Sequence, residues 1–394
     1  MKILLVNKFY YHRGGDCTAV FNTEQLLKSK GHEIAVFSIK HPQNEPSSWE
    51  KYFPENVSFS SNNISDKASA AMRIFHSTEV SRKFNQLLSD FKPDVVHLHN
   101  IHSYISPIVA RIAHEKNIHV VWTLHDHKLV CPTYLCLREG KICEECFNNK
   151  YGVFKHKCMK NSNIASFLAW MEAYYWNEKK ISKYTNTFIS PSHFLKSKMI
   201  EGGYSAGQIE VLHNFLLKEM PAPAEKEDYY CYVGRLSTEK GVETLLESAI
   251  KLNYNLKIIG EGPLLDFYKT KYPHKHFEFL GQMNQEDLFP LVQKARFIVI
   301  PSVCYENNPF NAIEALSMGT PVLGARIGGI PELIKEGENG FLFTPGNVAE
   351  LHDKINECFD FFTKTYNFQK IAEDAQNKFG AESFYKKLIM LYDL

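Results

Sequence analysis

Residues 297–321, FIVIPSVCYENNPFNAIEALSMGTP, decide how the chain is read. The apolar, β-branched run Phe297 to Ile300 predicts a buried strand, and Phe310 to Met318, closed by Gly319 and Pro321, predicts a helix. A strand, a short polar loop and a helix start make a natural anion site, because the first N–H groups of a helix have no intrahelical acceptor. In this context the anion is usually a phosphate. Glu306 lies in the loop and Glu314 in the helix. At about 1.5 Å rise per helical residue their backbones are at most on the order of 12 Å apart, comparable to the ribose-to-hexose distance in an extended sugar nucleotide. The pair can grip both ends of such a molecule. On their own, the two glutamates are read equally well as solvated charges on an ordinary α/β unit.

The rest of the chain sets the frame. Its 394 residues are enough for two domains with separate cores. A hydrophobic content of 44% and a charged content of 23% are those of an ordinary globular protein. The net charge of +1, without long blocks of like charge, gives no pull toward nucleic acid. Met1 to Asn7, MKILLVN, is too short for the apolar region of a signal peptide and reads as a first strand. No stretch approaches the roughly 18 apolar residues of a membrane span, so a cytoplasmic protein is expected.

In the first half, KILLVN is followed by a loop containing Gly14 and Gly15, a helix from Cys17 to Lys30 and the strand EIAVFS. That order is a Rossmann-like opening, although without G-x-G-x-x-G spacing the paired glycines also fit a simple tight turn. His41 to Ser65 reads as loop. Asp66 to Phe91 reads as helical, with Arg73, Arg82 and Lys83 beside apolar residues. Such a helix either lies on an anionic membrane surface or packs on the core with a solvated side, and the second is the commoner case. DVVHLH, 94–99, and HVVWTLH, 119–125, predict buried strands. They deliver histidines to the carboxyl edge, where open α/β sheets bind ligands. His125 is the first candidate there, with His97, His99 and His102 behind it.

Nine cysteines are many for a reducing compartment, and five fall between Cys131 and Cys158, which argues for a metal before disulfides. Cys143 and Cys146 have the C-x2-C spacing that takes two corners of a zinc tetrahedron, and Cys131 and Cys158 are the best remaining pair. A structural zinc and free thiols are the two open readings. A closed four-ligand site would order the loop and take no part in catalysis. Ala165 to Lys183, rich in aromatics, reads as one helix, and 218–228, with Pro221 and Pro223, as a linker.

In the second half, YYCYVGRLSTEKG, 229–241, again reads as strand, loop and helix start, with Arg235 and Lys240 placed to meet a diphosphate. The bland alternative is a pair of exposed surface cations. LKIIGEGP, 256–263, and HFEFLGQM, 276–283, follow as strands entering glycine turns.

These motifs together resemble the retaining glycosyltransferases of the GT-B fold, sequence family 4. The resemblance rests on the E-x7-E pattern of Glu306 and Glu314, on Gly234-Arg235-Leu236 with Lys240-Gly241, on Thr123-Leu124-His125-Asp126, and on Gly328-Gly329 with Glu332. It covers nearly the whole chain. It implies two Rossmann-like domains facing a central cleft: an acceptor domain at 1–214 with the cysteine insertion at 131–158, a nucleotide-sugar domain at 215–380, and a last helix, 381–394, crossing back.

It further implies that Arg235 and Lys240 hold the donor diphosphate, Glu306 the sugar hydroxyls and Glu314 the ribose. His125 would contact sugar and diphosphate, and Gly14, Gly15, Gly281, Asn308, Phe310 and Asn311 would line the donor site. A cysteine-bearing subgroup of the family carries a similar insertion, which implies zinc at Cys131, Cys143, Cys146 and Cys158. Where the family commonly has Phe-Gly after the first glutamate, this chain has Asn308-Pro309, and proline lacks an N–H donor.

The expected substrates are a nucleoside-diphosphate sugar and a glycan or lipid-linked saccharide acceptor, with no catalytic metal, no nucleic acid and peripheral contact with the inner membrane face. The expected process is surface polysaccharide or glycan biosynthesis. A sugar-nucleotide epimerase would bind the same donor without an acceptor, and a non-catalytic transferase-like subunit would tolerate changes at Arg235 and Glu306.

Overall fold

The computed structural model describes residues 1–57, 64–218, 225–363 and 366–393, so Pro221 and Pro223 of the expected linker lie outside the described residues. The chain divides into two compact units, one of Met1–Cys136, Cys143–His213 and Phe384–Leu394, the other of Leu137–Ile142 and Asn214–Ser383.

The first unit is built on strands β1 (Lys2–Val6), β2 (Glu33–Phe37), β3 (Val95–Leu98) and β4 (His119–Thr123). A short antiparallel hairpin, β5 (Leu137–Arg138) and β6 (Lys141–Ile142), interrupts them before β7 (Thr187–Ser190) and β8 (Ile209–Val211). The sheet order is β2-β1-β3-β4-β7-β8, all parallel. Both faces of a parallel sheet are covered, which is why its strands read as continuous apolar runs. Ile3, Leu5, Val95, Val121 and Ile189 are buried together with Leu388 and Tyr392 of the last helix, Ala381–Tyr392. Burying each such aliphatic side chain contributes about 2 kcal/mol.

The second unit repeats the plan with β9 (Tyr229–Val233), β10 (Asn255–Ile259), β11 (Phe277–Gly281), β12 (Ile298–Ile300), β13 (Val322–Ala325) and β14 (Gly340–Phe343). Its order is β11-β10-β9-β12-β13-β14, again all parallel. In both sheets the winding direction reverses beside the first strand, between β1 and β3 and between β9 and β12. At such a switch point the loops diverge and leave a crevice at the carboxyl edge, the usual ligand site of this architecture.

Two helices differ from expectation. The stretch read as one helix from Asp66 to Phe91 is two, Ile64–Phe75 and Thr78–Phe91, because Ser77 caps the second by accepting from Val80 N. Its cations turn inward: Arg73 donates to Glu79 and to Glu55 O, and Lys83 to Phe53 O. The core-packing alternative therefore describes these two. Ala165 to Lys183 likewise divides into Asn163–Tyr175 and Glu178–Tyr184, with Asn177 accepting from Lys180 N. Both caps are short polar residues inside longer apolar patterns, where periodicity does not show them.

Candidate active site

In the second unit the loops after β9 and β12 meet. Gly241, with φ +66°, lies so close to β12 that a Cβ would sit 1.9 Å from Pro301 O. Only glycine permits that approach. It brings Lys240 to Glu306, whose Oε1 accepts from Lys240 Nζ at 2.6 Å and from Ser302 Oγ at 2.7 Å. Burial alone would push the Lys240 ammonium down, but the adjacent Glu306 carboxylate more than compensates and holds it above the ordinary lysine value. The Glu306 backbone is fixed from the other side, where Gly329 N donates to its carbonyl at 2.6 Å. Gly328, at φ +62°, passes so near that a Cβ would lie 2.3 Å from that oxygen.

Arg235 is exposed on the β9 loop, whose turn is held by Tyr232 OH donating to Arg235 O at 2.8 Å. The helix Phe310–Ser317 follows β12 and starts at Pro309 without a side-chain cap. Asn308 is tied down, its side-chain oxygen accepting from Asn214 N at 2.7 Å and its carbonyl from Asn214 Nδ2 at 2.8 Å. Asn311 reaches back to β9, donating to Val233 O at 2.8 Å. Glu314, one turn further on, is desolvated, and its carboxyl is pushed up from 4.5 to about 7. Gly281 ends β11 and accepts from Gly260 N at 2.7 Å. Lys240 and Glu306 are thus in direct contact, Arg235, Asn308, Phe310 and Asn311 are on the same pair of loops, and Gly281 is two strands away on the same edge. This arrangement sets two cations, an uncapped helix start and two carboxylates along one edge of the sheet, groups chemically suited to a diphosphate joined to sugars.

In the first unit the carboxyl edge of β1, β3 and β4 carries a second cluster. His99 Nδ1 and His125 Nε2 share a hydrogen bond at 3.0 Å, and His97 is held between Tyr392 OH (2.6 Å) and Thr123 Oγ1 (2.7 Å). Burial pushes His125 down to about 4 and His97 to about 3, with His99 and His102 also well below the ordinary range, so all four rings are neutral at physiological pH. Asp16, just after Gly14 and Gly15, takes a hydrogen bond from Asn100 Nδ2 at 3.1 Å. Burial would raise its carboxyl, yet His125, Lys8 and that bond hold it below the usual value. Desolvation lowers the Lys8 ammonium. Gly14 itself is extended and precedes the helix Gly15–Ser29.

Sequence reading missed Lys8, Asp16, Asn100 and Ser302. Lys8, Asn100 and Ser302 lie two residues past the ends of β1, β3 and β12, and Asp16 follows the Gly14-Gly15 pair in the loop after β1; those positions were the available signal.

The four cysteines expected to hold zinc are not gathered into an ion-holding group. Among the described residues no group of three or more His, Cys, Asp or Glu side chains is arranged to hold an ion. Cys131 instead pairs with Cys136, the thiol left out of the expected set. The hydrogen bond from Cys136 lowers Cys131 to about 6, and Thr133 Oγ1 lies 3.2 Å from its sulfur. Cys146 packs with Val153 and Ala169, and desolvation pushes its thiol up to about 12.

Two parallel sheets, each with a switch point beside its first strand, are the two Rossmann-like α/β domains of the GT-B fold. Residues 14–216 match the family described as Glycosyltransferase Family 4, and residues 216–370 match Glycosyl transferases group 1. The chain belongs to Glycosyltransferase Family 4.

It is 27% identical to an uncharacterized 42.6 kDa protein in the cps region of Klebsiella pneumoniae, over 84% of this chain and 87% of that one. An uncharacterized glycosyltransferase of Methanocaldococcus jannaschii is 26% identical over 53% of this chain, and the match spans only 59% of that relative's length. The fold is similar to that of Anabaena HepE, solved in complex with UDP, with a TM-score of 0.69, 17% identity and full coverage of both chains. No helix among the described residues is long and apolar enough to cross a membrane.

Proposed function

We propose that this glycosyltransferase moves a sugar from a nucleoside-diphosphate donor to a glycan or lipid-linked acceptor, with retention of anomeric configuration, in surface polysaccharide or glycan biosynthesis. The observation that carries the reading is the Lys240–Glu306 contact at the switch point of the second sheet, beside Arg235 and the open start of Phe310–Ser317. The diphosphate gains charge as its bond to the sugar breaks. Arg235 supplies a two-pronged donor to its oxygens and Lys240 a point charge. Glu306 then accepts from sugar hydroxyls and Glu314 from ribose hydroxyls. In the first unit neutral His125, oriented by His99, offers a hydrogen-bonding ring at the carboxyl edge of its own sheet without carrying charge.

The position of Asp16 and Lys8 at the β1 edge supports acceptor binding there. UDP in the HepE structure and the cps region of the Klebsiella relative support the donor class and the process. Retention fits front-face transfer in which the departing diphosphate takes the acceptor's proton. The test is a thermal-shift screen of sugar nucleotides followed by proton NMR of the product made with the best donor. A product of unchanged anomeric configuration is expected, and an inverted one rejects the proposal.

A further inference from the structure

Three loops at the carboxyl edge of the first sheet gather aromatic rings that the transfer chemistry leaves unused. Phe9, Tyr11 and Arg13 follow β1, His41 follows β2 and Tyr104 follows β3, and these strands are neighbours in the sheet. Buried Phe9 is the hub, its ring centroid 5.5 Å from Tyr11, 6.5 Å from His41 and 5.2 Å from Tyr104. Beside it Tyr11 and His41, both half-buried, stack at 4.5 Å and 16°. The backbone that carries them is pinned: Asn7 Nδ2 donates to Phe9 O, Lys8 N to Asn100 O and Glu45 N to Tyr10 O, each at 2.8 Å. A surface held in place this way loses little freedom when a ligand covers it.

The chemistry of the group selects its ligand. Ordinary loop packing explains Phe9, but not the half-exposed rings or the cation beside them. Exposed Arg13 holds its guanidinium carbon 4.5 Å from the Phe9 ring centroid and has no carboxylate partner among the described residues. Asp16, the nearest acid in sequence, is engaged by Asn100 instead. Stacked on a ring, the guanidinium fork is fixed in direction, and its N–H groups match the oxygens of a carboxylate or a phosphate. The face of an aromatic ring is partially negative, so it meets the slightly positive C–H groups on the flat side of a pyranose. Stacked rings with a fixed cation at their margin therefore suit a sugar that carries an anionic group.

We propose that Tyr11, His41 and Arg13 form a specificity subsite that selects an acceptor pyranose bearing a carboxylate or phosphate, the sugar ring stacking on the aromatic pair and the anion meeting the guanidinium. The inference rests on the reading of the first unit as the acceptor side. An acceptor there follows from the resemblance, whereas its charge does not.

The experiment is a ligand-detected NMR titration of the full chain with methyl glucuronoside, glucose 6-phosphate and methyl glucoside, with no donor present. At least one of the two anionic sugars should bind about tenfold more tightly than methyl glucoside, as for one charge-assisted hydrogen-bonded pair. Which of the two gains more tells a carboxylate acceptor from a phosphate one. Arg13→Gln should erase the preference, and Tyr11→Ala should weaken the preferred sugar about fivefold. The melting-temperature shift produced by a sugar nucleotide reads the donor side separately: its absence with probe binding intact rejects the transfer reading and not this subsite, and the reverse result rejects the subsite alone. Three results overturn the proposal: equal binding of charged and neutral sugars, binding of none of them, or a preference that survives Arg13→Gln.

Discussion

Replacing Glu314 by glutamine tests the assigned nucleotide contact through the proton it controls. Desolvation raises this carboxyl from 4.5 to about 7, so the unliganded protein carries it neutral below that pH and ionised above it. Two ribose hydroxyl donors are best met by the ionised form. With a pKa of about 7, roughly a tenth of the sites are ionised at pH 6 and nine tenths at pH 8, so affinity should rise about tenfold between them. Isothermal titration with the best-binding nucleoside diphosphate, in buffers of different ionisation enthalpy, should also show proton release at pH 6 to 7. Phosphate ionisation adds its own slope, but that slope is shared by Glu314→Gln, and the difference between the two proteins isolates the carboxyl.

The same group has a stability signature. Its folded value lies above its ordinary one, so its contribution is fully present at low pH and is lost as pH rises through about 7. At pH 8 the variant should be more stable than wild type by about 3 kcal/mol, because each tenfold change in proton affinity between the unfolded and folded chain is worth about 1.4 kcal/mol. Equal pH slopes in both proteins, or a variant less stable at pH 8, would overturn the assignment of a buried, proton-holding Glu314.

Arg235→Ala and Lys240→Ala should each lower turnover on the order of a hundred- to thousandfold, as for removal of a preorganised donor, Arg235→Ala with an unchanged melting temperature and Lys240→Ala with a lowered one because Glu306 loses its ion-pair partner; a near-wild-type rate contradicts the assignment. Glu306→Ala should lose turnover and also about 1–3 kcal/mol of stability in chemical denaturation, because Lys240 and Ser302 lose their acceptor. Lys226, buried with its ammonium donating to Gln293 O and Thr320 Oγ1, is lowered to about 7 by desolvation. Its folded value lies below its ordinary one, so wild-type stability should gain a contribution as pH rises from about 7 toward 10.5, and Lys226→Met should lack that gain. Parallel stability curves for the two proteins would count against it.

The strands are legible in the sequence because a doubly covered parallel sheet demands unbroken apolar runs such as ILLV, VVHL and FIVI. Alternation of those runs with helices then specifies two Rossmann-like units, which the sheets and their GT-B neighbours bear out. The helix breaks at Ser77 and Asn177 escape notice because one side-chain cap overrides a periodic pattern. The contact of Lys240 with Glu306 joins residues 66 apart and depends on the tight passage of Gly241 past Pro301, which spacing does not encode. The zinc expectation meets no metal-holding group among the described residues, for a related reason. C-x2-C spacing specifies two thiols, but the apolar packing of Cys146 and the turn that joins Cys131 to Cys136 are properties of the folded insertion.

Whether the β9 and β12 loops hold the donor can be seen outright in a crystal structure with a bound nucleoside diphosphate. The phosphate oxygens should accept from Arg235 and Lys240, and the ribose hydroxyls should donate to Glu314. A nucleotide seated away from these loops, with Lys240 and Glu306 untouched, would show that the donor site lies elsewhere.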